Sequence, residues 1–168
     1  MVTNMGKNGL EQKIIKLKTI LGDLGSVVVA FSGGVDSTFL LAMTREVLGR
    51  NVLAITAASP MIPTFEIKEA KIIARRLKVK HKLIKTSPLE NPKLKYNPKD
   101  RCYICKKSLF IKFLNLADKY GYSYLVDGTN FDDLKSSRPG LKALAELVLR
   151  ALLQKLSLPR KISGSIQK

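Results

Sequence analysis

With 168 residues, 45% of them hydrophobic, the chain has the length of one domain with a packed core, which excludes a wholly disordered polymer. Its 30 Lys and Arg against 13 Asp and Glu give a formal net charge of +17, a field that attracts nucleotides and nucleic acid unless it is only a solvated lysine-rich surface. No apolar run reaches about 18 residues, Met1–Lys18 has no secretory pattern, and two cysteines make no disulfide framework, so a reduced, cytoplasmic setting is expected.

Glu11–Leu21 sets Ile14, Leu17, Ile20 and Leu21 at helical spacing, with Gly22 and Gly25 as stops. Val27–Phe31 is a continuous apolar run of strand length, the pattern of a strand buried on both faces. A Gly-rich turn leads into a helix over about Val35–Leu48. Val52–Thr56 reads as a second strand. Phe65–Leu77 reads as a helix after the loop holding Pro60 and Pro63, and His81–Lys85 as a third strand. Thr86–Lys99 is a loop rich in Pro and Asn, of the kind that carries function. Cys102–Tyr120 is helical, with Leu109, Phe113, Leu116 and Ala117 on one face. Tyr124–Val126 is a fourth strand, ending in Asp127-Gly128-Thr129.

Strands alternating with helices imply right-handed crossovers and an α/β fold: a mainly parallel, Rossmann-like sheet with helices on both faces. Ligands in such sheets bind at the carboxyl ends of the strands. Three loops lie there, Ser32–Ser37, Ala57–Pro63 and Asp127–Asp133, and they are expected to converge on one site.

The loop after the first strand reads Phe31-Ser32-Gly33-Gly34-Val35-Asp36-Ser37. Its glycines let the backbone turn with N–H groups exposed at the start of a helix, an anion nest favoured by the helix dipole. Ser32 and Ser37 add hydroxyl donors. Asp36 suits a cation among phosphates, Mg²⁺ being the natural one; a helix cap is the plainer role. The spacing is not that of a Walker P-loop. The string resembles the S-G-G-x-D-S pyrophosphate loop of the PP-loop ATP pyrophosphatases, which have the adenine nucleotide alpha hydrolase-like fold. That resemblance implies cleavage of ATP between the α and β phosphates, adenylation of a substrate oxygen, and displacement of AMP by nitrogen or sulfur. Ala57 and Ala58 fall where such proteins pass adenine over the backbone.

Two further strings narrow the resemblance. They are Asn97-Pro98-Lys99-Asp100-Arg101-Cys102-Tyr103-Ile104-Cys105-Lys106, and Asp127-Gly128-Thr129-Asn130-Phe131-Asp132-Asp133-Leu134 followed by Ser137-Arg138-Pro139-Gly140. With the Ser32–Ser37 loop they resemble the LarE family of ATP-dependent sacrificial sulfur transferases, from about Leu10 to Ala145. The resemblance implies that ATP adenylates a carboxylate of a pyridinium mononucleotide. A cysteine thiolate then attacks and its C–S bond breaks, leaving a thiocarboxylate and a dehydroalanine, in the biosynthesis of a nickel-pincer cofactor. Other family members pair a C-x-x-C with a third cysteine around an iron–sulfur cluster, and Cys102 and Cys105 match the C-x-x-C. The implied ATP contacts are Ser32, Gly33, Gly34, Val35, Asp36, Ser37, Ala57, Gly128, Thr129 and Arg138. Asp36, Asp132 and Asp133 are the implied Mg²⁺ ligands, with an iron–sulfur cluster on Cys102 and Cys105 as a further option.

Plainer roles stand beside these. Asp132 and Asp133 suit a helix cap, and Arg138 a surface position. The two cysteines suit a structural pair or half of a zinc site, which His81 alone does not complete. Arg101, Lys106, Lys107 and the helix start are expected to lower the thiol pKa of Cys102 or Cys105.

After Ala145 the resemblance fails, and the third cysteine is absent. The expected division is a PP-loop domain over 1–145 and a divergent basic tail over 146–168, read as a C-terminal truncation with an out-of-frame end. Ser157–Lys168 is expected to be disordered, and the sheet to lack its next strand, leaving an open edge. A small mononucleotide and a second copy of the chain are the expected partners, with nucleic acid second and no membrane. A tRNA-thiolating enzyme and an ATP-binding module without turnover are the alternatives.

Overall fold

The computed structural model describes residues 4–87, 91–94, 96–129 and 150–151. Helix α1 spans Asn4–Leu24, β1 Val27–Ala30, α2 Val35–Leu48, β2 Val52–Ala58, α3 Thr64–Arg76 and β3 Lys80–Lys85. A 3-10 turn at Pro92–Leu94 precedes α4 (Arg101–Lys119), β4 (Tyr124–Asp127) and β5 (Arg150–Ala151). The first four strands and the four helices fall where the hydrophobic pattern places them. Gly22 does not stop α1, which runs on to bury Leu24; Gly25, at φ +69°, ends it.

The strands form one sheet in the order β3-β2-β1-β4-β5, every pair parallel. Val28 sits between Leu53 and Leu125, and Val29 between Ala54 and Val126. The chain grows outward from β1 in one direction through β2 and β3, then in the other through β4 and β5. The reversal beside β1 is the switch point at which open α/β sheets bind ligands.

Alternation along the strands builds two cores. Val27, Val29 and Phe31 pack with Leu17 and Leu21 of α1, Phe39 and Leu40 of α2, and Ala70 and Ala74 of α3. Val28, Leu53, Ile55 and Leu125 meet Phe110, Phe113 and Ala117 of α4 on the opposite face. Phe110 and Phe113 meet edge to face at 5.9 Å. Helices therefore cover both faces, and Val27, Val28 and Val29 of β1 are fully buried between them, as the unbroken apolar run requires.

The expected open edge beside β4 is corrected. Arg150 and Ala151 pair in parallel with Val126 and Asp127, so the sheet has a fifth strand inside the segment read as a tail. Such pairing uses only backbone donors and acceptors, so the side-chain sequence gave no warning of it. Ser157–Lys168 lies outside the described residues. Among the described residues no helix is long and apolar enough to cross a membrane.

Candidate active site

The Ser32–Ser37 loop leaves the carboxyl end of β1 and enters α2. Gly33 sits at φ +84°, and a Cβ there would stand 3.2 Å from the Ala70 Cβ, so the loop passes close over α3. Thr38 N donates to Gly34 O at 2.9 Å, and the Thr38 hydroxyl to Gly33 O at 3.3 Å. Gly34 N donates to Ser32 Oγ at 3.2 Å, Ser32 Oγ lies 3.0 Å from Ser37 Oγ, and Ser37 Oγ donates to Gly34 O at 3.0 Å. The two serine hydroxyls thus close a circuit that holds the loop in shape. Backbone amides at Val35, Asp36 and Ser37, in the first turn of α2, have no earlier helical carbonyl to bond and supply the anion nest. The N-cap is Gly34, without a side-chain cap, so Asp36 is not the cap. It sits in the first turn, lines the cavity, and has its Oδ1 buried.

The end of β4 rests on that same turn. A Cβ on Gly128 would stand 2.8 Å from both Cα and N of Ser37 and 3.1 Å from the carbonyl carbon of Asp36. Only glycine fits so close to another backbone. Thr129 N donates to Asp127 Oδ1 at 3.0 Å, which fixes the turn that follows, and both side chains are buried.

Between β1 and β3, the Thr56 hydroxyl donates to Phe31 O at 2.5 Å and lies 2.8 Å from His81 Nε2. His81 meets the Phe31 ring edge-on at 5.9 Å. Burial, and secondarily Lys71, lowers its pKa, so the neutral ring donates to Thr56. With Nε2 engaged there, His81 is a support of the loop rather than a partner of the cysteines.

The remaining wall is α4. Arg101 Nη1 donates to Asn97 Oδ1 at 2.5 Å, and Lys106 Nζ lies 5.5 Å over the Phe110 ring. Lys107 donates to the Tyr103 hydroxyl at 2.8 Å. Cys102 is exposed and Cys105 half-buried. Burial first, and Cys102 second, push the Cys105 thiol above its ordinary value. At Cys105 desolvation outweighs the nearby cations, so it is not the thiol with the lowered pKa.

These walls enclose one cavity of about 1040 Å³ at the carboxyl edge of the sheet. Ser32, Gly34, Val35, Asp36 and Ser37 line it together with Ala57, Gly128, Thr129, Cys102 and Cys105. Gly33 shapes the loop from behind. Asp132, Asp133 and Arg138 lie outside the described residues. Thr56, Asp127, Arg101 and Lys106 also line the cavity. Asp127 was legible at a strand end; Thr56 carried no signal beyond its strand. No group of three His, Cys, Asp or Glu side chains among the described residues is placed to hold a metal ion. Cys102 and Cys105 supply two of the three or four ligands an iron–sulfur cluster takes, so the residues present do not fit a complete one.

An open parallel sheet with an amide nest and an acidic residue at its switch point is the arrangement of the PP-loop, Rossmann-like α/β class. A family model, NAD synthase, matches residues 7–100, more than half of the chain, and the chain belongs to this family. It is also a homologue of the LarE-type enzymes. Over 146 residues it is 37% identical to the pyridinium-3,5-bisthiocarboxylic acid mononucleotide synthase of Lactiplantibacillus plantarum, covering 86% of this chain and 53% of that protein. An uncharacterized protein of Synechocystis is 39% identical over 151 residues, 90% of this chain and 56% of that one. The chain spans about half the length of these relatives. The U34-tRNA thiolase NcsA of Methanococcus maripaludis, solved with its [4Fe-4S] cluster, shares the fold with a TM-score of 0.58 at 13% identity, over 95% of this chain and 74% of that one.

Proposed function

We propose that this chain carries the ATP-using half of a sulfur transferase that adenylates the carboxylate of a pyridinium mononucleotide. The observation that carries the reading is the single cavity shared by the Ser32–Ser37 nest and the Cys102–Cys105 pair. The substrate carboxylate oxygen attacks the α-phosphorus of ATP, and the bond to the β-phosphate oxygen breaks. Amides of the α2 first turn bind the departing pyrophosphate, where charge develops. Mg²⁺, when bound, offsets phosphate charge, and the Asp36 carboxylate at the cavity wall fits it. A thiolate of the pair then attacks the acyl carbon and AMP leaves. Breaking the cysteine Cβ–S bond, with loss of the α-proton, yields a thiocarboxylate and a dehydroalanine. Arg101 and Lys106 hold positive charge beside the acceptor. We further propose that residues 1–145 form the unit that does this, with Asp132, Asp133 and Arg138 completing the phosphate side.

The test is pyrophosphate release from Mg-ATP with a pyridinium carboxylate mononucleotide, together with the mass of the chain. The expected result is release that depends on the acceptor and a chain lighter by H₂S, with Asp36→Asn losing much of the Mg²⁺-dependent thermal stabilisation by ATP. ATP binding without release would reduce the chain to a binding module. Release that requires tRNA instead would replace the acceptor.

A further inference from the structure

One strongly charged feature takes no part in this chemistry. Between Lys68 and Lys85 the sequence holds eight Lys and Arg against a single acid, Glu69. All eight are exposed, and among the described residues none forms a salt bridge.

Their placement is ordered. Lys68, Lys71 and Arg75 recur at helical spacing along one flank of α3, which packs on β3. Strand β3 ends the sheet; alternation sets Lys80 and Lys82 exposed on the face that α4 covers and Lys85 on the face that α3 covers, so cations flank this edge on both sides. Six residues of strand span about 20 Å. The run finishes at Ile84 and Lys85, opposite Ala57 and Ala58, on the edge of the sheet that holds the cavity. Beside it Tyr120 is 42% exposed, with Lys82 Nζ 5.2 Å over its ring. Lysines on an edge strand do protect it from pairing with other chains. That role does not account for the matching cations on the flank of α3.

We propose that the α3–β3 edge is a binding surface for a single-stranded polynucleotide, which lies along β3 and runs toward the mouth of the cavity. Cations on both sides of the edge strand can track a phosphate backbone that lies along it, and the aromatic face beside Lys82 stacks a base without regard to sequence, the two parts that single-strand binding uses. Beside Tyr120, its exposed large apolar residues are Ile72 and Leu83, with Phe65 at the start of α3, scattered among eight cations rather than gathered into the apolar face that anchors in a membrane interface. The surface stands apart from the cavity chemistry and does not depend on which acceptor the cavity takes.

The experiment is fluorescence anisotropy with oligouridine RNA and oligothymidine DNA over a range of salt concentrations. Lys80→Glu/Lys82→Glu is compared with Lys16→Glu/Lys112→Glu, an equal charge change on α1 and α4. Binding of either polymer is expected, with the edge variant weaker by about tenfold or more and its log–log salt slope smaller by about 1.4, two phosphate contacts at about 0.7 each. Tighter binding of RNA assigns the ribose hydroxyl a part; equal binding assigns the backbone alone. The control variant is expected to stay within about threefold of the parent, since charge far from the contact is screened. Equal losses in both variants, or no binding of either polymer at low salt, overturn the proposal. Edge-dependent binding to phosphatidylserine vesicles without binding to oligonucleotides overturns it in favour of a membrane. Pyrophosphate release is measured on the same variants and is expected to be unchanged, so failure here is separable from failure of the cavity reading.

Discussion

Replacing Gly128 with alanine puts a Cβ 2.8 Å from the Cα and N of Ser37. Ordinary contact begins at 3.4 Å, so β4 and the first turn of α2 must part by about 0.6 Å, the difference of the two distances. The obstructing atoms are backbone, so no side chain can swing aside. Overpacking of this kind costs about 1–3 kcal/mol. At about 2–4 °C per kcal/mol for a chain of this size, Tm is expected to fall by about 2–12 °C. The displaced amides are those proposed to bind phosphate, and a shift approaching 1 Å in a positioned group costs up to about a hundredfold in rate. Pyrophosphate release should therefore drop by roughly tenfold to a hundredfold, and ATP should bind more weakly. Scanning calorimetry and titration calorimetry with Mg-ATP provide the assay. Gly9→Ala is the control: a Cβ there meets nothing within 4 Å, and Tm should hold or rise. A Gly128→Ala protein with parental Tm and ATP affinity would refute the close contact between β4 and α2.

Two further outcomes follow from the titrating groups. Removing Cys102 takes away the second cause that raises Cys105, so in Cys102→Ala half-maximal iodoacetamide labelling of Cys105 should come at lower pH, while burial keeps it above the ordinary thiol range. Mass spectrometry reads the labelling, and an unmoved midpoint refutes the mutual effect. His81 has a depressed pKa in the fold, so the unfolded chain binds the extra proton first as pH falls. The stability carried by the neutral ring is full above about pH 6.5 and is lost as pH falls toward and through the folded value. His81→Gln should flatten this acid-side decline in a Tm–pH series, and a slope equal to the parent's counts against the role.

The parallel fold was legible because β1, β2 and β4 are short, largely apolar runs that alternate with helical periods. The Ser32–Ser37 loop was legible because its chemistry is local: glycines, hydroxyls and a carboxylate within six positions. The arrangement of the serine hydroxyls was not, since the circuit through Gly34 depends on the angle at which β1 enters α2. Which of the two cysteines is desolvated was not legible for a related reason: spacing shows the cations beside both, while desolvation depends on burial, which one strand of text does not record. Thr56 and His81 are 25 positions apart and meet only through the β2–β3 register. Arg150 and Ala151 pair through backbone alone.

The two cores share the sheet and little else. Residues on α1, α2 and α3 meet one set of strand side chains, and α4, which carries both cysteines, meets the alternate set. Substitutions separated in this way add independently when they share no partners. Helix α4 is thus a replaceable cassette. If the proposed function holds, a different 101–119 segment that still presents an apolar stripe to Val28, Leu53, Ile55 and Leu125 brings new acceptor chemistry to the same amide nest. Diversification of the acceptor need not disturb the machinery that activates it.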